Sequence, residues 1–78
     1  MENKLAERIK KVMFAVFEIP VEQIKDDSSP DIIYSWDSLK HMTMVIALEE
    51  ELDIEISEED ILDMMNYKLI KVILTKYM

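Results

Sequence analysis

The absence of glycine limits what this chain can fold into more than any other feature of its sequence. None of the 78 residues is glycine, and only two are proline. Every backbone position with positive φ must therefore use Asn or Asp, which tolerate the left-handed region better than other side chains. Tight β-hairpins, whose favoured turns depend on such positions, are poorly supported. The sequence thus favours helices joined by loops.

The length of the chain sets a second bound. We expect residues 1–78 to form a single small domain, because a chain this short has material for only one core. Half of the residues are apolar and 33% are charged, a balance typical of globular rather than disordered proteins. No apolar run approaches the roughly 20 residues that span a bilayer, and the first residues lack the apolar stretch of a signal peptide. We therefore expect a cytoplasmic protein that is not bound to a membrane.

Cysteine is also absent from the sequence. Disulfides, Cys-ligated metals and a Cys nucleophile are therefore excluded. If thiol chemistry occurs here, the sulfur must belong to a group that is attached to the chain. The acidic clusters lack the spacing and the glycine of a calcium-binding loop, so we expect no dedicated metal site.

The distribution of charge is more informative than the net charge of −8. Nine acidic residues and no Lys or Arg lie between residues 49 and 63. Nucleic acid binding is disfavoured, because phosphate backbones require a positively charged surface. The acidic stretch can steer basic protein partners, or it can be a solvated face that keeps the protein dispersed. Charge alone leaves both interpretations open.

Apolar periodicity predicts a first helix that Pro20 stops and that Asn3 could cap. Its apolar face repeats at helical spacing, and Phe14 and Phe17 widen it. The residues of this face are Leu5, Ile9, Val12, Val16 and Ile19. Residues 20–36 then form a long loop, which needs apolar anchors on the helices. The candidate anchors are Val21, Ile24, Ile32, Ile33, Tyr34 and Trp36.

Three further helices follow the loop, each with a polar residue at its start. Asp37 or Ser38 can cap a second helix from about Ser38 to Leu52, and Ser57 opens a third, short helix. Asn66 could cap a fourth helix from about Tyr67 to Lys76, which has one apolar face. The predicted fold is all-α: a small bundle of three long helices plus one short helix, with a long structured first loop.

The second helix carries more apolar surface than a bundle requires. Its core stripe is expected to hold Leu39, Met44, Val45, Leu48 and Leu52. Met42 and Ile46 lie on another stripe, together with Ser38 and Glu49. These two apolar residues either contact the long loop or form an exposed patch that binds partners. Periodicity does not separate the two alternatives.

A Trp-Asp-Ser-Leu sequence at residues 36–39 lies at the predicted start of the second helix, and Leu-Glu-Glu-Glu-Leu-Asp-Ile-Glu-Ile follows at residues 48–56. With these residues the sequence resembles the acyl carrier protein family across essentially the whole chain. A bare Asp-Ser-Leu is a weak signal, but this combination in a short acidic chain is specific. The resemblance implies that a phosphopantetheinyl transferase joins 4′-phosphopantetheine from coenzyme A to the Ser38 hydroxyl through a phosphodiester. The arm's thiol would then carry acyl groups as thioesters.

The resemblance also implies roles for neighbouring residues. Asp37 and Leu39 flank the modified serine. The second helix would meet acyl-transferring and acyl-modifying enzymes, which present basic surfaces to a monomeric carrier. The positions that match this role are Met42, Ile46, Glu49 and Glu50.

Some positions depart from the family's usual pattern. Trp36 stands near a position where glycine is common, and Lys40 and Thr43 stand where acidic side chains are frequent. The front of the second helix is therefore less acidic than usual. These differences favour a dedicated acyl or polyketide-type pathway at least as much as housekeeping fatty acid synthesis.

Two alternatives to an acyl carrier remain. An aminoacyl or peptidyl carrier would use the same arm, and an unmodified acidic adaptor would bind proteins through the second helix alone. We do not expect an enzyme: His41 lies three residues after Ser38, but no acid is placed to orient it, so it is interpreted as a surface residue. The resting place of the cargo is predicted to be a cleft between the second and third helices, with four candidate lining residues, Leu48, Ile56, Ile61 and Leu62.

Overall fold

The computed structural model describes residues 4–78, which form four α-helices and contain no strand. The helices are α1 (Lys4–Phe17), α2 (Ser38–Leu52), α3 (Glu58–Asp63) and α4 (Tyr67–Thr75), and one 3₁₀ turn (Val21–Gln23) lies in the first loop. The predicted all-α bundle of three long helices and one short helix is confirmed. The proposed cap Asn3 lies outside the described residues. No helix within residues 4–78 is long and apolar enough to cross a membrane.

Helix α1 packs its predicted apolar face into the core, but two of its details differ. Met13 is fully buried although the predicted stripe omits it, and Phe14 is 53% exposed. The helix ends at Phe17, three residues before Pro20, because Glu18 adopts a left-handed φ of 59°. The expectation that only Asn or Asp would take positive φ is therefore wrong for Glu18. It holds for Asp53, whose φ of 58° ends α2.

The three predicted caps at the starts of α2, α3 and α4 are all present. The Asp37 carboxylate accepts the backbone N–H of Lys40 at 2.8 Å, and Asn66 accepts that of Leu69 at the same distance. The Ser57 hydroxyl accepts the N–H of Asp60 at 3.2 Å. Each bond satisfies one of the donors that a helix start leaves without a partner. Since Asp37 is the cap of α2, Ser38 is the first helical residue.

The core is built from the inward faces of α1, α2 and α4. The stripe of Met44, Val45, Leu48 and Leu52 is buried as predicted, and the inward face of α4 packs against the same core. Leu39 is different: it is 76% exposed, so its predicted place in the core is wrong. At about 100° per residue, Leu39 lies seven positions before Ile46 on the outward arc of the helix.

The first loop is fixed to the bundle by fewer anchors than predicted. Ile24, Ile33 and Trp36 are buried, as predicted. The other three candidates are exposed, so their predicted role as anchors is wrong: they are Val21, Ile32 and Tyr34. The loop is held by backbone bonds instead, since the carbonyls of Asp26 and Ser28 accept the first N–H groups of α4. These bonds satisfy donors at the start of α4 and hold this part of the loop against it.

Polar side chains tie the remaining elements together. The Tyr77 hydroxyl donates to Asp60 at 2.5 Å and accepts the backbone N–H of Ser57 at 3.1 Å, which joins the end of α4 to the start of α3. Lys76 forms an ion pair with the same carboxylate at 3.1 Å. The hydrogen bond from Tyr77 and then that from Lys76 hold the pKa of Asp60 below its usual value. The short α3 is thus held by polar contacts as well as by packing.

Candidate functional site

Ser38 is exposed at the first position of α2. Because the Asp37 carboxylate provides the cap, the Ser38 hydroxyl is not used to satisfy the helix start. It has no hydrogen-bond partner among residues 4–78. The side chain is therefore free to react with an approaching group.

The backbone around Ser38 is suited to hold a phosphate. The N–H groups of Lys40 and His41 are bonded to Asp37, whereas those of Ser38 and Leu39 have no acceptor within the described part of the chain. Free N–H groups and the positive end of the helix dipole both favour an anion at this point. The Lys40 ammonium is directed elsewhere, since it donates to the carbonyl of Val16 near the end of α1 at 3.3 Å.

An apolar surface extends from Ser38 along the outward arc of α2. It consists of Leu39, Met42 and Ile46, which are 76%, 43% and 54% exposed. Glu50 is also exposed and lies on the same arc. We call these four residues the outward face. Met42, Ile46 and Glu50 were predicted as partner-binding positions, whereas Leu39 had been assigned to the core and to the flank of the serine.

Glu49 contributes to the fold more than its predicted role requires. Its carboxylate accepts the backbone N–H of Ile56 at 2.9 Å, and its carbonyl accepts that of Ile54 at 3.1 Å. Glu49 is therefore half-buried and closes the connection between α2 and α3. A substitution here would change the fold as well as any docking surface.

Glu51 is likewise engaged within the molecule. Arg8 donates to its carboxylate at 3.2 Å, and Lys11 lies 3.4 Å from the same oxygen. The hydrogen bond from Arg8 is the main reason that the pKa of Glu51 lies below its usual value. Of the three consecutive acids at residues 49–51, Glu50 is the one that is exposed.

A groove of about 520 Å³ opens beside Ser38. This volume lies within the range of small-molecule sites, roughly 300–1,000 Å³. The groove runs between the start of α2 and the helix α3, and most of its surface is apolar. Its lining residues are Pro30, Trp36, Asp37, Ser38, His41, Met42, Ile61, Leu62 and Met65.

The predicted cargo cleft is only half right. Ile61 and Leu62 line the groove, as predicted. Leu48 is fully buried and Ile56 is 7% exposed, so both belong to the core instead. The groove therefore lies closer to Ser38 and nearer the surface than the sequence suggested.

His41 is not the surface residue that the sequence indicated. The indole Nε1–H of Trp36 donates to His41 Nδ1 at 3.0 Å, and His41 Nε2 lies 2.8 Å from the carbonyl of Ile61. The ring is half-buried and stacks on Trp36 with centroids 6.1 Å apart. One feature of the sequence points to this arrangement. Trp36 is a predicted buried anchor, and a buried indole N–H needs an acceptor, which His41 five residues away can provide. We call this arrangement the Trp36–His41–Ile61 bridge.

The described residues contain no group of three or more His, Asp or Glu side chains that could hold a metal ion. The Ser38 hydroxyl is exposed beside an apolar groove, on a surface that a partner can cover. No family model matches the sequence.

Comparison with curated proteins identifies the family of the chain. The chain is 45% identical over 60 residues to the acyl carrier protein of Buchnera aphidicola subsp. Acyrthosiphon pisum (strain Tuc7), covering 77% of this chain and 74% of that protein. It is 41% identical over 58 residues to the acyl carrier protein of Buchnera aphidicola subsp. Schizaphis graminum (strain Sg), covering 74% and 73%. The chain belongs to the acyl carrier protein family, and its role is that of a carrier rather than an enzyme.

Proposed function

We propose that this protein carries acyl groups as thioesters on a 4′-phosphopantetheine arm attached to Ser38. The observation that carries the proposal is the free Ser38 hydroxyl, exposed at the start of α2 in a chain of the acyl carrier protein family. The arm supplies the thiol that the chain lacks, since the sequence has no cysteine.

The residues near Ser38 fit the phosphate of this arm. The N–H groups of Ser38 and Leu39 are available as donors, and Asp37 already occupies the capping position. In the attachment reaction the Ser38 oxygen forms a bond to phosphorus, and the pyrophosphate bond of coenzyme A breaks. Adenosine 3′,5′-bisphosphate leaves, and the hydroxyl proton passes to a base of the transferase.

The outward face supports the second part of the proposal, that enzymes dock on α2. A partner that reaches the Ser38 hydroxyl also covers Leu39, Met42 and Ile46, because these residues share one arc of the helix. Glu50 adds a negative charge that favours basic partners. The partners we propose are the phosphopantetheinyl transferase and the enzymes that load, modify and remove the acyl group.

The pathways we propose are fatty acid synthesis and a dedicated acyl or polyketide-type pathway, and the front of α2 favours the dedicated one at least as much. A carboxylate at position 40 or 43, near the start of α2, would strengthen an acidic docking surface, but this chain has Lys40 and Thr43 there. The Lys40 ammonium is bonded to α1 and the Thr43 hydroxyl to the carbonyl of Leu39, so neither adds negative charge to the face. Partners that bind here rely more on apolar contact than on charge.

Intact mass spectrometry tests the attachment site. We expect the protein to gain the mass of one phosphopantetheine when it is incubated with coenzyme A and a broad-specificity transferase. Ser38→Ala should remove this gain and leave the helical content unchanged, because the Asp37 cap and the core are untouched. Ser29→Ala, in the first loop, is the matched control and should be modified as the unaltered chain is. A mass gain in Ser38→Ala would refute the assignment.

A further inference from the structure

Helix α4 differs from the rest of the chain in the sign of its charge. The segment from residue 64 to residue 78 contains three lysines and no Asp or Glu, although the net charge of the whole chain is −8. This basic segment follows directly after the nine acids at residues 49–63. A net charge of −8 already keeps the chain dispersed, so solubility does not account for the local change of sign.

The side of α4 that faces away from the core is also apolar. Leu69 and Val72, one turn apart, are 39% and 56% exposed. The buried side of the helix is filled by other residues, namely Tyr67, Ile70, Ile73 and Leu74. The two exposed side chains therefore add nothing to the core and form an apolar strip that a partner can cover.

Lysine side chains border this strip along one edge. Lys71 donates to the Asp26 carboxylate at 2.9 Å, and its ammonium lies 4.5 Å from the centre of the Tyr67 ring. The ammonium of Lys10, from α1, lies 5.6 Å from the same ring. The ammonium of Lys68 makes no hydrogen bond or ion pair among residues 4–78. Lysines from two helices thus gather on one side of α4.

The positive charge at this edge exceeds the negative charge that it meets. The hydrogen bond from Lys71 is the main cause that lowers the pKa of Asp26, and the charges of Lys68 and Lys10 lower it further. Three ammonium groups therefore act on one carboxylate, so positive charge remains in excess. We call the lysines and the apolar strip together the α4 face: Lys10, Lys68, Leu69, Lys71 and Val72.

We propose that the α4 face is a second docking surface, for a protein partner whose contact surface is apolar with carboxylates along one edge. The α4 face has the same layout with the opposite charge, which gives complementarity in both packing and electrostatics. It is separate from the outward face of α2, because both helices turn their inward sides to one core and their outward sides in different directions. A partner can therefore bind α4 while Ser38 stays open to the transferase. This inference goes beyond the proposed function and does not depend on the arm.

The observations favour an acidic protein over other occupants. A membrane or a nucleic acid carries negative charge over a length greater than the 30 Å extent of the domain, so it would also meet the exposed carboxylates of Asp26 and Asp27 beside the start of α4. A protein can place its carboxylates beside the lysines alone. A second copy of this chain brings its own net charge of −8, which opposes association.

Amide NMR of the isotope-labelled chain tests the position and the chemistry of the partner. The probe is a synthetic helical peptide with leucines along one side and glutamates along one edge of that side, and its control has lysine at each glutamate position. We expect the acidic peptide to shift the resonances of Lys68, Leu69 and Val72 and to leave those of Met42 and Ile46 unchanged. The lysine peptide should leave α4 unchanged. An acidic peptide that shifts no residue of α4, or that shifts α2 instead, would overturn the proposal.

Variants of the face separate the effect of charge from that of packing. Lys68→Glu should weaken binding of the acidic peptide several-fold, because a repulsion replaces an attraction, whereas Lys68→Arg should bind as the unaltered chain does. Lys4→Glu makes the same change of charge on another side of α1 from Lys10 and should not weaken binding. Val72→Ser should weaken binding several-fold through lost apolar contact. Urea midpoints show that each variant is folded, and equal affinity of Lys68→Glu and the unaltered chain would refute the face.

The transferase reaction shows whether the two surfaces are separate. The acidic peptide at saturation should leave the rate of phosphopantetheine attachment unchanged, because Ser38 lies outside the α4 face. A slower rate would mean that the peptide covers Ser38 and would overturn the proposal of a second surface. If the transferase does not modify the chain at all, the proposed function fails, and the peptide titration still decides this inference.

Two further measurements exclude the other occupants. Light scattering should give the mass of a single chain at every concentration, and the chain should not sediment with vesicles of phosphatidylcholine and phosphatidylserine. Self-association that Lys68→Glu abolishes would make a second copy the occupant. Vesicle binding that Lys68→Glu abolishes would make a lipid surface the occupant. Either result would overturn the assignment of an acidic protein partner.

Discussion

Truncation of Ile46 to alanine distinguishes a docking residue from a core residue on the same helix. Full burial of such a side chain contributes roughly 1.5–3 kcal/mol to the free energy of unfolding. Ile46 is 54% exposed, so its truncation removes less than half of that contribution. Alanine recovers about 0.4 kcal/mol through its higher helix propensity. We therefore expect Ile46→Ala to lower the free energy of unfolding by only about 0.5 kcal/mol.

Leu48→Ala is the matched control, two residues further along α2. Leu48 is fully buried, and such truncations cost about 2–5 kcal/mol. A domain of this size is stable by only about 4–12 kcal/mol, so the control should lose a large share of its stability. Its melting temperature should fall by about 10 °C or more, against about 2–4 °C for Ile46→Ala.

Urea denaturation and the rate of modification, measured side by side, decide between the two roles. Ile46→Ala should lower the urea midpoint slightly and leave the slope of the free energy of unfolding against urea concentration unchanged. It should also slow modification by the transferase. Leu48→Ala should shift the midpoint strongly and slow modification only in proportion to its unfolded fraction. A loss above about 2 kcal/mol in Ile46→Ala would place this side chain in the core and refute the outward face.

Three further outcomes follow from charge and hydrogen bonding. Glu50→Lys should slow modification by the transferase at low salt. The difference from the unaltered protein should shrink as salt is added, because the charge on the surface is then screened over about 8 Å. Glu22→Lys, in the first loop, makes the same change of charge and should not slow modification. The free energy of unfolding should fall as pH drops below about 5, because the pKa values of the Asp26, Glu51 and Asp60 carboxylates are lower in the folded protein than usual. Such groups stabilise the fold above their usual pKa and lose this contribution as pH falls through the folded-state pKa. Urea midpoints measured against pH check this expectation. Tyr77→Phe removes a bond to Asp60 and one to the Ser57 N–H, so hydrogen exchange in α3 should quicken while that in α1 stays the same.

The helices and their starts could be predicted because their causes are local. Three to four residues determine a cap, and the side chains of Asp37, Ser57 and Asn66 each accept the backbone N–H three residues further on. The stripe of α2 that enters the core follows from spacing alone. The candidate site at Ser38 could be proposed from the residues around it, since a motif at a helix start is also a local feature.

Features that depend on packing between distant segments could not be predicted. Tyr34 and Ile33 are neighbours with similar apolar character, yet only Ile33 is buried. The loop is bonded to α4 through the carbonyls of Asp26 and Ser28, and nothing in the loop sequence encodes that contact with distant residues. His41 is a similar case, because its partner Ile61 lies 20 residues away and offers only a backbone carbonyl.

Charge and apolar contact on the outward face act on different steps of docking. Exposed charge mainly raises the rate of encounter, whereas buried apolar contact mainly slows dissociation. Two of the acids beside Glu50 are used within the fold: Glu49 closes the connection to α3, and Glu51 binds Arg8. Three of the four residues of the outward face are apolar, and Leu39 among them is 76% exposed. Glu50 is the one charged residue of the four. If partners dock on the outward face as proposed, we expect them to differ chiefly in how long they stay bound, because the contacts offered there beside Ser38 are mostly apolar.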